Sequence, residues 1–561
     1  MACSKIFSGD LPELTYKIIQ YFKKDISTLY SCILVNRLWC RLTIPLLWED
    51  PFSLPTQNYR CIKTYFCFLN EDDKARFNEY GINDNLFLTN PLFNYPSFIK
   101  YLDISKICHS IEYWVDTLVD KSDNRLGNLV YSLLFEVFIE NEGNLHSFEV
   151  VHPRSYGYNY FNDNIYLILQ NPNLIYDIRN LTFHIYNNDL YQNIAFLEFL
   201  YSNCKSISSI VIKFPTYRID INNYSLIENH LSQLIISQNN LKKISFESFV
   251  NLYNPLLTLK NSNCSNTLNT IIFYFIDFKN INSILQEVFD QLNVLESIHI
   301  LYCDSLNSDF VQQIIRIIKP FKLRSLFTKE IILNDHIESL LLLLQKFSDC
   351  LENFGFENGD IGVEYNEQKQ KLFEFIMKYC KNIRYFYSCL PYYDNNSICL
   401  FIEKNQHNIN YLTIEGDFIE NHILYAESST LLRNLGQVLP SRLEYLCLTL
   451  SFIASDLEIF FKNSQNTFIK KLLINNVFLH TSSPRSVDTK ILFFIKKYIM
   501  KKERVNYLAI LESDSNGGIQ PVELFFLKDE VNEYKLHNII VQKYHDLYID
   551  AHSYINYHLQ Y

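Results

Sequence analysis

Residues 295–306 read Leu-Glu-Ser-Ile-His-Ile-Leu-Tyr-Cys-Asp-Ser-Leu, with apolar side chains at Leu295, Ile298 and Ile300. The same spacing of apolar, two variable, apolar, one variable and usually apolar residues recurs fourteen times along the chain. The copies begin at residues 99, 145, 178, 207, 241, 268, 295, 323, 351, 383, 409, 443, 469 and 505. Their mean spacing is about 31 residues, and a regular period of this length is typical of a repeat architecture.

Helical periodicity fills the segments between these copies. Apolar residues recur about every 3.6 positions in Ile281–Leu292, Phe310–Ile318, Ile337–Phe347 and Leu372–Tyr379. Each repeat is therefore predicted to be a short strand followed by a helix, and neither element buries its apolar face alone. We predict an α/β solenoid over residues 97–513, with parallel strands on a concave face and helices on the convex face.

The predicted strand–helix repeat resembles a leucine-rich repeat. Residues 295–306 are similar to the cysteine-containing repeats that often follow an F-box, with Cys303 at the cysteine position and Leu306 completing the match. Most other copies lack Asn or Cys at the position of Cys303, and several intervals are long for the family. The resemblance therefore implies an irregular leucine-rich-repeat array.

The N-terminal residues 8–50 carry a second pattern, three short helices with more apolar side chains than so small a bundle buries. Asp10 and Asp25 are placed to cap the first two helices, and Pro45 is expected to end the third. In sequence order the segment resembles an F-box. The matching residues are Leu11, Pro12, Leu14, Ile18, Leu29, Val35, Arg37, Trp39, Leu42, Pro45, Leu47 and Trp48.

The F-box resemblance implies a partner, because F-box domains dock on the Skp-type adaptor of a cullin–RING ubiquitin ligase. An apolar surface left open on a small domain points to a partner as well. The residues expected to contact the adaptor are Leu11, Pro12, Leu14, Ile18, Leu29, Val35 and Trp39. The alternative is that these helices only cap the repeat array.

Two further segments flank the predicted repeats. Residues 51–96 are predicted to be a helical linker or N-terminal cap. Residues 514–561 begin near the Gly517-Gly518 break and form either a C-terminal cap or a tail that folds back across the concave face. The sequence does not decide between these two roles of the C-terminal residues.

Composition and charge argue against several classes of function. The net charge of −11 and the pI near 5.7 disfavour nucleic-acid phosphate as a partner. The longest aliphatic run, Leu340–Leu344, is far too short to span a membrane. The N-terminus lacks a signal-peptide pattern and the 14 cysteines show no paired framework, so we expect a cytoplasmic or nuclear protein.

Motifs that carry catalytic or metal chemistry are scarce. The twelve glycines form no phosphate-binding loop, and neither H-E-x-x-H nor C-x-x-C occurs. Cys380, Cys389 and Cys399 are nine and ten residues apart, which matches no zinc site. We therefore expect a non-catalytic protein without a cofactor, although an enzyme with catalytic residues far apart in the sequence stays open.

The concave face is predicted to bind a protein substrate. The third and fifth residues of the strand pattern alternate with the apolar ones and therefore face away from the helices. Tyr occupies the third position in five of the fourteen copies, where about one is expected from 40 tyrosines in 561 residues. The candidate substrate-binding residues are Tyr385, Tyr387, Tyr411, Tyr445, Lys471 and Tyr507. A chain generally rich in Tyr, with the preference of Tyr for strands, accounts for the same pattern without a binding role.

Together these features predict the substrate-recognition subunit of a Skp–cullin–F-box ubiquitin ligase. The F-box would dock the Skp-type adaptor, and through it a cullin, while the repeats would hold an unidentified protein substrate for ubiquitination. The alternative is a leucine-rich-repeat scaffold for protein interactions without a link to ubiquitin transfer. Neither nucleic acid nor a membrane is expected as a partner.

Overall fold

The computed structural model describes residues 11–23, 25–53, 59–82, 91–118, 124–151, 160–185, 190–214, 221–248, 252–261, 263–357, 367–389, 395–416, 424–478, 487–500, 504–514 and 520–558. The chain divides into two compact units. Unit 1 comprises Met1–Asn269 with Gln291–Val294, and unit 2 comprises Thr270–Asp290 with Leu295–Tyr561.

Unit 1 begins with three helices and continues with alternating strands and helices. The first three helices are α1 (Pro12–Gln20), α2 (Ile26–Ile33) and α3 (Arg37–Leu47). The later helices are α4 (Arg60–Tyr65), α5 (Glu71–Ala75), α6 (Ile104–Asp116), α7 (Asn124–Glu140), α8 (Tyr160–Gln170), α9 (Leu190–Asn203), α10 (Ile221–Ser237) and α11 (Tyr253–Thr258). The strands are β1 (Tyr101–Asp103), β2 (Ser147–Val150), β3 (Asn180–His184), β4 (Ser209–Lys213) and β5 (Lys243–Glu247), each parallel to the next.

Unit 2 repeats the same alternation. Its strands are β6 (Thr270–Tyr274), β7 (Ser297–Leu301), β8 (Lys322–Lys329), β9 (Asn353–Glu357), β10 (Tyr385–Cys389), β11 (Tyr411–Glu415), β12 (Arg442–Leu450), β13 (Phe468–Phe478), β14 (Val505–Asp514), β15 (Val522–Glu523) and β16 (Ile540–Val541). Its helices are α12 (Asn282–Phe289), α13 (Ser308–Arg316), α14 (Glu330–Phe347), α15 (Glu367–Tyr379), α16 (Asn395–Asn405), α17 (Leu424–Val438), α18 (Ala454–Asn463), α19 (Thr489–Tyr498), α20 (Lys528–Leu536), α21 (Tyr544–Leu547) and α22 (Ala551–Ser553). Strands β6 to β14 pair in sequence order and in parallel.

The predicted alternation of parallel strands and helices is confirmed. Each of the fourteen copies of the apolar pattern forms a strand. Within each unit the third residues of most neighbouring copies lie opposite one another, as Tyr101 does with Ser147 and Tyr411 with Tyr445. Between β7 and β8 the register shifts after Ile298, so that His299 lies opposite Ser325. The register follows from the pattern because a slip of one residue would turn the apolar side chains to the wrong face.

The two faces of each sheet have different neighbours. The fourth and sixth pattern positions pack on helices: the ring of Phe148, at a fourth position, lies 6.4 Å from that of Phe161 in α8, and the ring of Phe356, at a sixth position, lies 5.1 Å from that of Phe373 in α15. The third and fifth positions therefore point away from these helices. We call the face that they form in unit 2 the tyrosine face.

The three N-terminal helices enclose a small apolar core. Its buried members are Ile19, Leu29, Cys32, Trp39, Leu46 and Leu47. The predicted cap at Asp25 is confirmed, since its carboxylate accepts the Thr28 N–H at 3.1 Å. Asp10 lies outside the described residues. The expectation for Pro45 is wrong: α3 runs through it to Leu47, because a proline in the last turn removes only one helical hydrogen bond.

The bundle also covers the first strand of unit 1. The Glu49 carbonyl accepts the N–H groups of Lys100 and Tyr101, at 2.9 and 3.0 Å. Lys23 Nζ lies 2.5 Å from the Glu49 carboxylate and donates to the Tyr101 hydroxyl at 3.2 Å. Tyr101 is thus engaged by the N-terminal helices, which shield the otherwise open edge of β1.

The residues after β14 divide into two parts with different roles. Strand β15 pairs antiparallel with β14 and β16 pairs parallel with it, so both lie along its edge. Residues 544–557 leave this edge and pack on the tyrosine face. The C-terminal residues therefore act both as a cap and as a segment that folds back over the sheet.

Candidate functional site

Five of the six candidate substrate-binding residues form one row across β10 to β14. In register, the row runs Tyr385, Tyr411, Tyr445, Lys471 and Tyr507. Neighbouring rings are 6.2 Å apart between Tyr385 and Tyr411 and 6.0 Å apart between Tyr411 and Tyr445. Tyr387, in β10 at the fifth position of the pattern copy that begins at residue 383, lies beside the row. The strand pattern thus predicted a contiguous set of residues.

Residues 544–557, which we call the C-terminal segment, cover this row. The buried residues of the segment in the shared apolar cluster are Leu547, Ile549, Ala551, Tyr554 and Ile555. Beneath them, Tyr385 and Tyr445 are 1% and 0% exposed, whereas Tyr411, Lys471 and Tyr507 are half-buried. The C-terminal segment therefore lies between solvent and those two rings.

Two tyrosines of the row hold the backbone of a single residue. The Tyr445 hydroxyl accepts the Ile549 N–H at 3.0 Å, and the Tyr385 hydroxyl donates to the Ile549 carbonyl at 3.4 Å. The ring of Tyr554 lies 4.8 Å from that of Tyr385 and 4.5 Å from that of Tyr411. Both peptide groups of Ile549 are therefore satisfied by side chains of the sheet.

The tyrosine face also provides polar partners for the hydroxyls of the C-terminal segment. One Glu415 carboxylate oxygen accepts from Tyr548 at 3.0 Å and the other accepts from Tyr387 at 2.9 Å. The Tyr544 hydroxyl lies 2.9 Å from Thr449 Oγ1 and 3.2 Å from Cys447 Sγ. The segment is thus bound through its tyrosine hydroxyls as well as through its apolar side chains.

Burial shifts the pKa values of the ionisable groups at this site. Burial raises the pKa of the Glu415 carboxyl, against the opposing effect of the two tyrosine donors. Burial also raises the pKa of the Cys447 thiol to about 12, so the thiol is protonated near neutral pH. A protonated thiol is a weak nucleophile. The same desolvation raises the pKa of Tyr445 well above its usual value, which keeps its hydroxyl neutral.

A polar cluster on the first strands of the tyrosine face escaped the sequence analysis. Thr270 and Ser297 lie 3.1 Å apart through their hydroxyls, His299 Nδ1 lies 2.6 Å from Ser325 Oγ, and Asn353 donates to Ser325 Oγ at 2.8 Å. All five side chains are buried. Their common third or fifth pattern position was a readable signal, but only the tyrosines and Lys471 at these positions were singled out.

The candidate adaptor-binding residues divide between surface and core. Leu11, Leu14 and Val35 are 40%, 44% and 45% exposed, Pro12 is exposed, and Ile18 is half-buried. Leu11, Leu14 and Ile18 recur at helical spacing and so share one stripe. Leu29 and Trp39 lie inside the bundle, where they hold the helices together. Leu34, which follows α2 and was not among the candidates, is 86% exposed.

The described residues contain neither a cluster arranged for metal binding nor a helix suited to crossing a bilayer. No group of three or more His, Cys, Asp and Glu side chains in this part of the chain is arranged to hold a metal ion. None of the helices that the structure describes combines the length and apolar character needed to cross a bilayer.

Comparison with known proteins finds similarity to solved structures but no matching family. No protein-family model matches it, and no curated protein matches it significantly in sequence. Among solved structures, it is similar to the leucine-rich repeat-containing protein LegL7 from Legionella pneumophila, with 10% identity and a TM-score of 0.33 over 60% of this chain and 93% of that chain. The strand pairing within each unit shows the strand–helix repeat independently of this similarity.

The binding of the C-terminal segment is expected to weaken as the pH rises. The pKa of Glu415 is raised while the segment covers it, so the bound state takes up a proton more readily than the detached state. Detachment of the segment therefore becomes easier as the pH rises from the ordinary pKa of the carboxyl to its raised pKa. With one linked proton, the equilibrium constant for detachment increases by at most about tenfold per pH unit. The nearby Cys447, Tyr544 and Tyr548 have raised pKa values and stay neutral there.

Hydrogen exchange of the Ile549 amide, corrected for its intrinsic rate, measures this effect between about pH 5 and 8. Glu415→Gln is the control variant and is expected to remove the pH dependence. Opening that is independent of pH in the wild type, or equally pH-dependent in Glu415→Gln, would contradict the assignment.

Proposed function

We propose that this chain is the substrate-recognition subunit of a Skp–cullin–F-box ubiquitin ligase. Residues 8–50 act as the F-box and dock the Skp-type adaptor, and the repeats hold a protein substrate. The supporting observation is the exposed apolar stripe of Leu11 and Leu14, together with exposed Leu34 and Val35, on a bundle whose own core is already filled. Apolar side chains left outside a completed core favour a protein partner.

The energetics require several of these residues to act together. Complete burial of one leucine contributes roughly 1.5–3 kcal/mol, and Leu11 and Leu14 are already partly covered in the free chain. Association also costs translational and rotational freedom. A stable complex therefore needs the stripe of Leu11, Leu14 and Ile18 and the residues Leu34 and Val35 after α2 to be buried together in one interface of ordinary size.

In this role the chain catalyses nothing itself. It brings substrate lysines close to ubiquitin that is activated elsewhere in the assembly, which raises their effective concentration. The bundle and the first strand of unit 1 are joined by the Glu49 contacts, so the docking site and the start of the repeats are held in one compact unit.

Capture of the purified adaptor by the full chain tests the proposal. The double variant Leu11→Glu with Leu14→Glu is expected to lower capture at least about tenfold, because two charges would have to be buried in the interface. Tyr16→Glu is the matched control, since Tyr16 is 41% exposed on the same helix but lies on a different side of it. Equal capture by wild type and double variant would refute adaptor docking, and the repeats would then stand as an interaction scaffold without a link to ubiquitin.

A further inference from the structure

We propose that the tyrosine face is a peptide-binding site for a tyrosine-containing segment of a partner protein, and that the C-terminal segment is an internal ligand that occupies it. This inference deepens the proposed function, because it names the class of substrate that the repeats recognise. It rests on the contacts between residues 544–557 and strands β10 to β14, all of which belong to unit 2.

The first supporting feature is the way the backbone of Ile549 is held. Its N–H is bound by the hydroxyl of Tyr445 and its carbonyl by that of Tyr385, and these two tyrosines are separated in the row by one strand. Core packing needs only the side chain of Ile549, whereas these hydroxyls bind its peptide groups. Such contacts bind the peptide groups of any residue placed here, and so are independent of its side chain.

The second feature is a set of partners for side chains at fixed spacing. Tyr544 contacts Thr449 and Cys447, and four residues later Tyr548 donates to Glu415. Ile549 follows at the backbone contact, and five residues further the Tyr554 ring packs on two tyrosines of the row. A partner segment would make the same contacts if it carried two tyrosines four positions apart, an aliphatic residue directly after the second tyrosine, and an aromatic residue five positions after the aliphatic one.

The third feature sets the modification state of the ligand. The Tyr548 hydroxyl donates to the partly buried Glu415 carboxylate. A phosphate group on this tyrosine would remove the donor and place about two negative charges beside the carboxylate. The site therefore accepts unmodified tyrosine and rejects phosphotyrosine at this position.

The C-terminal segment is built so that it can leave without unfolding the sheet. Among the described residues, the last strand pairing before it is that of the two-residue β16 with β14. Its helices α21 and α22 have four and three residues, lengths that have no stability of their own. Its tyrosine hydroxyls bind side chains of the sheet, so its detachment leaves the ladder from β10 to β14 intact.

A labelled synthetic peptide of residues 542–557 tests the inference on the full chain, without adaptor. The chain variant Tyr548→Glu with Tyr554→Ala weakens its own segment and is expected to bind the peptide at least about tenfold more tightly than the wild type, whose segment competes. Phosphorylation of the peptide at Tyr548 is expected to weaken binding at least about tenfold. Addition of Tyr385→Phe and Tyr445→Phe to this chain variant should reduce its affinity for the peptide, because both hydrogen bonds to the peptide backbone are removed.

Two results would overturn the inference. One concerns the chain variant Tyr548→Glu with Tyr554→Ala, provided that its amides in β10 to β14 exchange as slowly as those of the wild type. If this folded variant does not bind the peptide, or binds the phosphopeptide equally well, the inference is wrong. The other needs no variant: the Ile549 amide of the wild type should exchange at least about a hundredfold faster than amides of β12 and β13, through local opening. Equal protection would make the segment a permanent part of the core. Neither outcome depends on adaptor docking, so each is distinguishable from failure of the proposed function.

Discussion

Replacement of Trp39 by alanine is expected to unfold the N-terminal bundle and so to abolish adaptor binding. The Trp39 side chain is 7% exposed and packs with Ile19 and Leu29 in the core of three short helices. Removal of a buried tryptophan side chain costs about 3–5 kcal/mol. A bundle of this size has little stability beyond that amount. Hydrogen exchange of the amides in α1 to α3 measures the loss.

The matched control is Tyr21→Ala, since Tyr21 lies in the same bundle but is 88% exposed. It is expected to change stability by less than about 0.5 kcal/mol. Trp39→Ala differs from the glutamate variant of Leu11 and Leu14, which is expected to lose adaptor binding while the helices stay folded. Unchanged amide protection in Trp39→Ala would contradict the placement of this side chain in the bundle core.

The double replacement Tyr385→Ala with Tyr445→Ala is expected to detach the C-terminal segment and to destabilise unit 2. Both rings are almost fully buried, and both hydroxyls bind Ile549. Each replacement creates a cavity and is expected to lower the free energy of unfolding by roughly 3–5 kcal/mol. Denaturant unfolding of the variant and the wild type measures this loss. Proteolytic cleavage within residues 544–557 should become faster at the same time.

Two control variants are compared with this double alanine variant, one for the hydroxyl groups and one for the position in the row. Tyr385→Phe with Tyr445→Phe keeps the rings and removes only the hydrogen bonds, so it should cost about 1 kcal/mol per bond. Tyr507→Ala, at the half-buried end of the row, should cost less than either buried ring. If the double alanine variant destabilises unit 2 no more than Tyr507→Ala does, the segment does not depend on these rings.

The repeat was readable from the sequence because its determinants are local. An apolar pattern six residues long sets which side chains face the helices, and its recurrence predicts the register of neighbouring strands except between β7 and β8, where the register shifts. For this reason the row from Tyr385 to Tyr507 was predicted together with its strands. The irregular intervals did not disturb the prediction of the strands, since extra residues between two strands leave the apolar pattern of each strand unchanged.

The cover over the tyrosine face was not predictable in the same way. The contact between Tyr548 and Glu415 joins residues 133 positions apart, and the elements around Tyr548 are too short to show periodicity. Apolar spacing likewise did not separate core from surface in the N-terminal bundle. Leu11 and Leu29 both fit the F-box order, yet only tertiary packing makes Leu29 a core residue and leaves Leu11 exposed.

The most direct test of adaptor docking is hydrogen exchange of the full chain with and without the purified Skp-type adaptor, at concentrations above about 1 µM. The proposed function predicts slower exchange in residues 11–35, which contain Leu11, Leu14, Leu34 and Val35, and no slowing in strands β10 to β14. Exchange that is unchanged throughout residues 11–35, or slowed only in the repeats, would contradict it.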